Sequence, residues 1–184
     1  MFQFKLTSER FTVPLRPEEA GKGLAVHMTV NIRKAAFEDM EAIIVLWNDM
    51  MLDHQRNDPR ICLADGALSA YRAYLGYHLA HSESCVRVAD AGGQVIGFVL
   101  AAINRNLPMF EPERYGYLSD LAVAAPWRRR GIGRELVKEI RVWLGRRGVD
   151  TVQLQYYSFN HAGQAFWRAM DFKPFYTRMW LDMA

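Results

Sequence analysis

Tyr117-Leu118-Ser119-Asp120-Leu121-Ala122-Val123 leads through Ala124-Ala125-Pro126-Trp127 into Arg128-Arg129-Arg130-Gly131-Ile132-Gly133-Arg134, and the reading of this stretch decides the fold. Residues 115–123 read as a β-strand, and Pro126 ends it because proline cannot donate to a ladder. Beyond the glycines, Ile132, Leu136, Val137, Ile140, Trp143 and Leu144 share one face at helical spacing, and Gly148 is placed to stop that helix. The order is strand, glycine loop, helix. Glycines at 131 and 133 allow close backbone approach, and the first unpaired N–H groups of the helix, with its dipole, make a cradle for an anion such as pyrophosphate. Arg128, Arg129, Arg130 and Arg134 stand where charge-assisted hydrogen bonds to phosphates are available.

Two other phosphate loops fail on the same residues. A Walker loop needs Gly-Lys-Ser/Thr at the correct glycine spacing, whereas Arg134 and Glu135 follow Gly133. A dinucleotide fingerprint needs glycine at position 136, which is Leu136.

Working outward from the loop, residues 29–34 alternate as a strand. Met40, Ile43, Ile44, Trp47, Met50 and Met51 then recur at helical spacing. Asp58-Pro59 breaks the chain before a second helix marked by Leu68, Tyr71, Leu75 and Leu79. Val86, Val88 and residues 95–103 are β-rich runs divided by Asp90-Ala91-Gly92-Gly93, which predicts a hairpin. C-terminal to the glycine loop and its helix, a strand over 151–156, a helix over 160–170 and a strand over 176–183 complete the pattern. Residues 1–28 mix Pro14, Pro17, Gly21 and Gly23 with charges, show no sustained period and read as an N-terminal extension to a single domain over 29–184. The expected fold is α/β, a mixed and mostly antiparallel sheet flanked by helices.

Composition narrows the function classes. The 184 residues are 51% hydrophobic and 23% charged, ordinary for a globular chain able to bury a core. No run approaches the length of a membrane helix, so no membrane role is expected. Cys62 and Cys85 form neither a close pair nor part of a Cys/His cluster, which fits a reducing cytoplasm. His54, His78, His81 and His161 join no cluster at ligand spacing, so no metal is expected. Of a net charge of +3, residues 128–147 carry +6 and the rest −3. Charge so gathered suggests a local anionic ligand, not a nucleic-acid surface.

Arg128 to Gly133 matches Arg/Gln-x-x-Gly-x-Gly/Ala, and a second block runs from Asn160 through Trp167 to Phe172. On these residues the chain resembles the GCN5-related N-acetyltransferases, in which that signature binds coenzyme A. The resemblance implies that backbone amides of residues 128–134, Ile132 included, hold the pyrophosphate of acetyl-coenzyme A. It also implies that the preceding strand splays from its neighbour, and that Leu121, Ala122 and Val123 bind the pantetheine arm. The Val123 amide would face the thioester carbonyl and stabilise the oxyanion, and Asn160 would contact the cofactor arm. The family commonly has tyrosine where Trp167 stands, as the acid that protonates the departing thiolate. An indole N–H is no such acid, and Tyr156, Tyr157, Tyr176 or water is expected in its place.

An amine nucleophile must lose a proton, which makes Asp120 the expected base, with Ser119 and Tyr117 as relays. Glu111 and Glu113 are candidates to attract a cationic substrate. Trp47, Met51, Tyr74 and His78 are expected to line the acceptor pocket. The implied reaction is transfer of acetyl to a primary amine by direct attack. The amine is left open among small amines, antibiotics, amino acids and protein N-termini. The alternative is a catalytically weak acyl-coenzyme A-binding or regulatory module. A homodimer formed through residues 175–183 is also a possible arrangement.

Overall fold

The apolar stripes and alternating runs are used up on the two faces of one sheet. The computed structural model describes residues 9–14 and 27–183. Six strands lie in the order β1 (Glu9–Pro14), β2 (His27–Lys34), β3 (Ser84–Ala91), β4 (Gln94–Arg105), β5 (Arg114–Val123) and β6 (Val152–Leu154). Neighbours pair antiparallel except β5 and β6, which are parallel. The mixed, mostly antiparallel α/β fold is therefore present.

Helices α1 (Met40–Asn57) and α2 (Ala67–Ala80) cover one face, where Ile43, Ile44, Leu46, Tyr71 and Leu75 meet Val86, Val88, Phe98, Leu100 and Ala122. Helix α3 (Ile132–Gly145) covers the other with α4 (His161–Arg168). All six apolar positions of α3 read from the sequence are buried, each contributing about 1.5–3 kcal/mol of burial. Gly148, at φ 66°, turns the chain after α3. Gly92 and Gly93, at φ 63° and 92°, close the β3–β4 hairpin, and the Asp90 carboxylate accepts the Gly93 amide at 2.7 Å.

Four local expectations change. Glu9–Pro14, inside the stretch that showed no period, forms the edge strand β1 and buries Val13 against the α3 side. Its inward pattern is only Phe11 and Val13 before Pro14, too short for periodicity to register, and the ladder with β2 supplies the rest. Residues 1–8 and 15–26 lie outside the described residues, as does Ala184. Residues 176–183 form no strand, and Phe175, Met179, Trp180 and Leu181 are exposed. The adjacent edge, β6, is three residues long, not the six expected, and offers too short a ladder. In α2, Leu68 lies outside the buried stripe.

Gly116 explains how α3 sits so close to β5. A Cβ there would overlap the side chain of Leu144, which is itself buried. Gly116→Ala is expected to lower the unfolding free energy by about 1–3 kcal/mol, read by urea denaturation.

Candidate active site

The glycine loop is built by two left-handed residues flanking an anchored arginine. After a 3-10 turn over Ala125–Trp127, Arg129 adopts φ 66° and Gly131 φ 83°. Gly131 is the N-cap of α3, and no side chain caps the helix. The first amides of α3, at Ile132, Gly133 and Arg134, therefore point outward with no helical acceptor, which makes them an anion site. At Gly133 a Cβ would come 3.3 Å from the ring of Phe166 on α4, so the glycine lets that ring close over the helix start.

Two of the arginines make hydrogen bonds within the fold. Arg128 Nε donates to the Val123 carbonyl at 3.0 Å, and its Nη2 pairs at 3.3 Å with Asp53 of α1. Arg130 donates to the carbonyls of Pro14 on β1 and Pro126 in the loop, at 2.8 and 2.9 Å, and lies over the Trp127 ring. Arg128 and Arg130 thus pin the loop to α1 and β1. Arg129 and Arg134 are exposed beside the helix start.

The strand that feeds the loop parts from its neighbour. β5 and β6 pair only at Gly116, Tyr117 and Leu118, leaving the β6 side of residues 119–123 without a strand partner. On the other side Val123 registers with Gly97, and the Ala124 amide donates to the Ile96 carbonyl at 2.9 Å. Antiparallel backbone groups alternate in direction, so Val123 and Leu121 turn theirs away from β4, into the split. Arg128 occupies the Val123 carbonyl, and the Val123 amide remains directed into the opening.

A bulge sets the direction of Asp120. Leu100 registers with Asp120 and Ala101 with Leu118, which leaves Ser119 as the extra residue, its hydroxyl donating to the Leu100 carbonyl at 3.3 Å. Leu118 packs on the α3 side, and without the bulge Asp120 would follow it. The extra residue moves Asp120, with Ala122, to the α1/α2 face. There Asp120 is bordered by Ser119, Trp47 and Tyr71, and it keeps part of its surface open. Burial pushes its carboxyl up to about 6, against the neighbouring polar groups of those three residues, which favour the charged form. Trp47 and Tyr71 stack with ring centroids 4.0 Å apart. The Tyr71 hydroxyl is buried without a close hydrogen-bond partner, and burial, with Asp120 and Tyr74 nearby, holds it well above the usual phenol range.

Among the other expected residues, Tyr74 and Tyr117 both feel the Asp120 charge. His78 lies edge-on to Tyr74, with Nδ1 2.7 Å from the Ser84 hydroxyl, and burial holds it below its ordinary value. Met51 is half-buried on α1. Tyr156 follows β6, and its hydroxyl accepts from Gln164 at 3.3 Å. Tyr157 stacks on Phe159 and meets His54 edge-on. The Tyr176 hydroxyl accepts from Gln155. Asn160 caps α4, accepting the Gly163 amide at 2.8 Å. Trp167 is buried edge-to-face between Phe166 and Phe172. Glu113 pairs with Arg105 at the end of β4, and Glu111 accepts the Glu113 amide at 3.1 Å.

Asp53 was not singled out by the sequence. Burial works to raise its carboxyl, but Arg56 and Arg128 outweigh that and hold it below the ordinary range. With Leu46, Asp49, Ala122, Val123 and Arg128 it lines a cavity of about 270 Å³ between α1 and the end of β5. Its partner Arg128 lies 75 residues away in the chain, a pairing that no local pattern announces.

A sequence model of the acetyltransferase (GNAT) family matches residues 46–172, the span from α1 through α4. The chain is 28% identical over 120 residues to N-acetyltransferase family 8 member 3 of Mus musculus, covering 63% of this chain and 50% of that protein. It is 26% identical over 126 residues to the uncharacterized N-acetyltransferase YhfO of Bacillus subtilis, covering 68% and 78%. The chain spans about half the length of the mouse and rat relatives it matches, 50% in each case. Among solved structures, a mutant of the BH1408 protein from Bacillus halodurans aligns with a TM-score of 0.76 at 22% identity, covering 83% of this chain and 99% of that one. The aminoglycoside N-acetyltransferase AAC(6')-Iy in complex with CoA aligns with a TM-score of 0.66 at 18% identity, covering 87% and 98%. At these identities the structural likeness is one of fold.

Proposed function

The chain belongs to the acetyltransferase (GNAT) family, and from that premise we propose that it transfers acetyl from acetyl-coenzyme A to a primary amine by direct attack. The observation that carries the reading is the split end of β5. There the Val123 amide opens into the gap and a bulge turns Asp120 to the α1/α2 face, next to a helix start with uncapped amides. In this reading the amides of Ile132, Gly133 and Arg134 hold the pyrophosphate, with Arg129 and Arg134 beside it. The open edge from Leu121 through Ala122 to Val123 takes the pantetheine arm. Asn160, whose oxygen caps α4, has its Nδ2 left for that arm, while Trp167 shapes the site by packing.

Asp120 takes a proton from the bound amine, whose nitrogen then bonds to the thioester carbonyl carbon. Charge growing on the carbonyl oxygen is met by the Val123 N–H. The carbon–sulfur bond breaks, the departing thiolate takes a proton from Tyr156 or water, and the nitrogen, now that of the amide, gives up its second proton, which restores that donor. Direct attack is supported by the cysteines. Burial pushes the Cys85 thiol up to about 11, and the exposed Cys62 donates to the Pro59 carbonyl at 3.0 Å.

Arg128 acts in this reading as a positioning residue for Val123. Lysine reaches one acceptor of the pair but cannot replace the fork that joins the Val123 carbonyl to Asp53. Arg128→Lys is expected to lower kcat about tenfold with little change in the KM for acetyl-coenzyme A. Steady-state kinetics with acetyl-coenzyme A varied check this, and a raised KM at unchanged kcat would instead make Arg128 a phosphate ligand.

A second reading, a binding module without turnover, draws on Trp167 standing where the family commonly has tyrosine. Thiol release across a panel of primary amines separates the two. The transfer reading expects release with at least one amine. A chain that binds acetyl-coenzyme A and releases no thiol with any of them is the module.

A further inference from the structure

Resting on the acetyl-transfer reading, we infer that the acceptor is a monoamine carried on a flat, apolar body, an arylalkylamine in type, and not a polycationic sugar. The inference comes from what surrounds Asp120. Trp47 and Tyr71 are stacked with centroids 4.0 Å apart, and Tyr74 continues the aromatic surface with its ring centroid 5.9 Å from that of Tyr71. From the strand side, Tyr117 lies within the electrostatic reach of Asp120, Tyr74 and Tyr176 of the C-terminal segment. Tyr74 and Tyr176 are exposed and Tyr117 half-buried, so the aromatic surface opens to solvent around a carboxylate at its base.

Charge decides which amines fit. Among the described residues, Asp120 is the acid whose charge acts on Tyr71, Tyr74 and Tyr117. One carboxylate balances one ammonium. A second or third ammonium of a polyamine sugar would face aromatic rings, and its hydroxyl groups would lose water without partners. Of the nearby acids, Asp53 is engaged by Arg56 and Arg128 and Glu113 by Arg105, while Asp49 lines the cavity between α1 and the end of β5, whose lining does not include Asp120, Trp47, Tyr71 or Tyr74. An aryl ring gains by burial and by offset or edge-on contacts with Trp47 and Tyr74.

The experiment compares phenethylamine, butylamine and kanamycin with the full chain. Thiol release gives kcat/KM with acetyl-coenzyme A, and calorimetry gives amine binding with coenzyme A present. Phenethylamine is expected to exceed butylamine in kcat/KM by about tenfold and kanamycin by about 100-fold. Trp47→Leu and, separately, Tyr74→Leu should each shrink the phenethylamine-to-butylamine ratio several-fold. Tyr74 is exposed, so its variant keeps the test valid if Trp47→Leu fails to fold. Equal ratios, or a preference for kanamycin, overturn the inference and leave acetyl transfer standing. Saturable phenethylamine binding that Tyr74→Leu weakens, without thiol release from any amine, supports the aromatic site and removes the transfer reading. Absence of both binding and release with phenethylamine overturns the inference whatever the other amines do.

Discussion

Asp120→Asn is expected to lower kcat/KM for the amine by about 10²- to 10⁴-fold, the range for losing a positioned proton acceptor. Asparagine keeps the size and the hydrogen-bonding oxygen next to Ser119, Trp47 and Tyr71 but accepts no proton. The pH profile should change with it. With its carboxyl pushed up to about 6 by burial, Asp120 is ionised above that pH, so the wild-type acidic limb falls away below about pH 6. In the variant that limb should vanish. Folding should move the other way. The folded-state value lies above the ordinary 3.8, so the contribution of this group to stability is present below about pH 4 and lost as pH rises through 6. At pH 7 to 8 the asparagine variant is therefore expected to be at least as resistant to urea as wild type. A large activity loss in a protein of undiminished stability assigns the effect to chemistry, and full activity in Asp120→Asn removes Asp120 as the base.

Gly133→Val is the second large effect, an increase of about 100-fold in the coenzyme A dissociation constant. A Cβ at 133 already meets the Phe166 ring at 3.3 Å, and the branched methyls of valine must displace that ring or fill the space above the helix amides. Losing one or two charge-assisted hydrogen bonds costs about 1.5–3 kcal/mol each, which corresponds to a factor of this order. Gly131→Ala should do less. Its Cβ meets open space, and the cost is the roughly 1–2 kcal/mol of holding an L-residue at φ 83°. Calorimetric titration of coenzyme A into both variants gives the ranking. Unchanged affinity in Gly133→Val would mean that the α3 amides do not hold the pyrophosphate.

The parts of this protein that could be read from its sequence are those fixed by local pattern. The apolar stripe of α3, the Gly92-Gly93 hairpin and the strand-loop-helix around Gly131 each rest on residues within a few positions of one another. What was not legible depends on partners far along the chain. Arg128 and Arg130 read as phosphate ligands by charge, yet their hydrogen bonds run to Val123, Asp53, Pro14 and Pro126, and only the folded loop brings most of these together. Asp120 was visible as a carboxylate on a strand, but the face it points to depends on the bulge at Ser119, which is a property of the register with Leu100 and Ala101. Residues 176–183 show the reverse error. Their β-rich composition suggests a strand, and a ladder needs an edge long enough to pair with, which the three residues of β6 do not provide.

The central claim is that a free amine takes acetyl directly from acetyl-coenzyme A at the split end of β5. Mass spectrometry of both amine and protein, after incubation with acetyl-coenzyme A and phenethylamine or butylamine at pH 8, tests it most directly. The expected result is an amine heavier by one acetyl group, one free thiol per acetylated amine, and a protein of unchanged mass. Acetyl found on the protein and chased from it by amine would contradict direct attack, and thioester left intact beside every amine would contradict transfer itself.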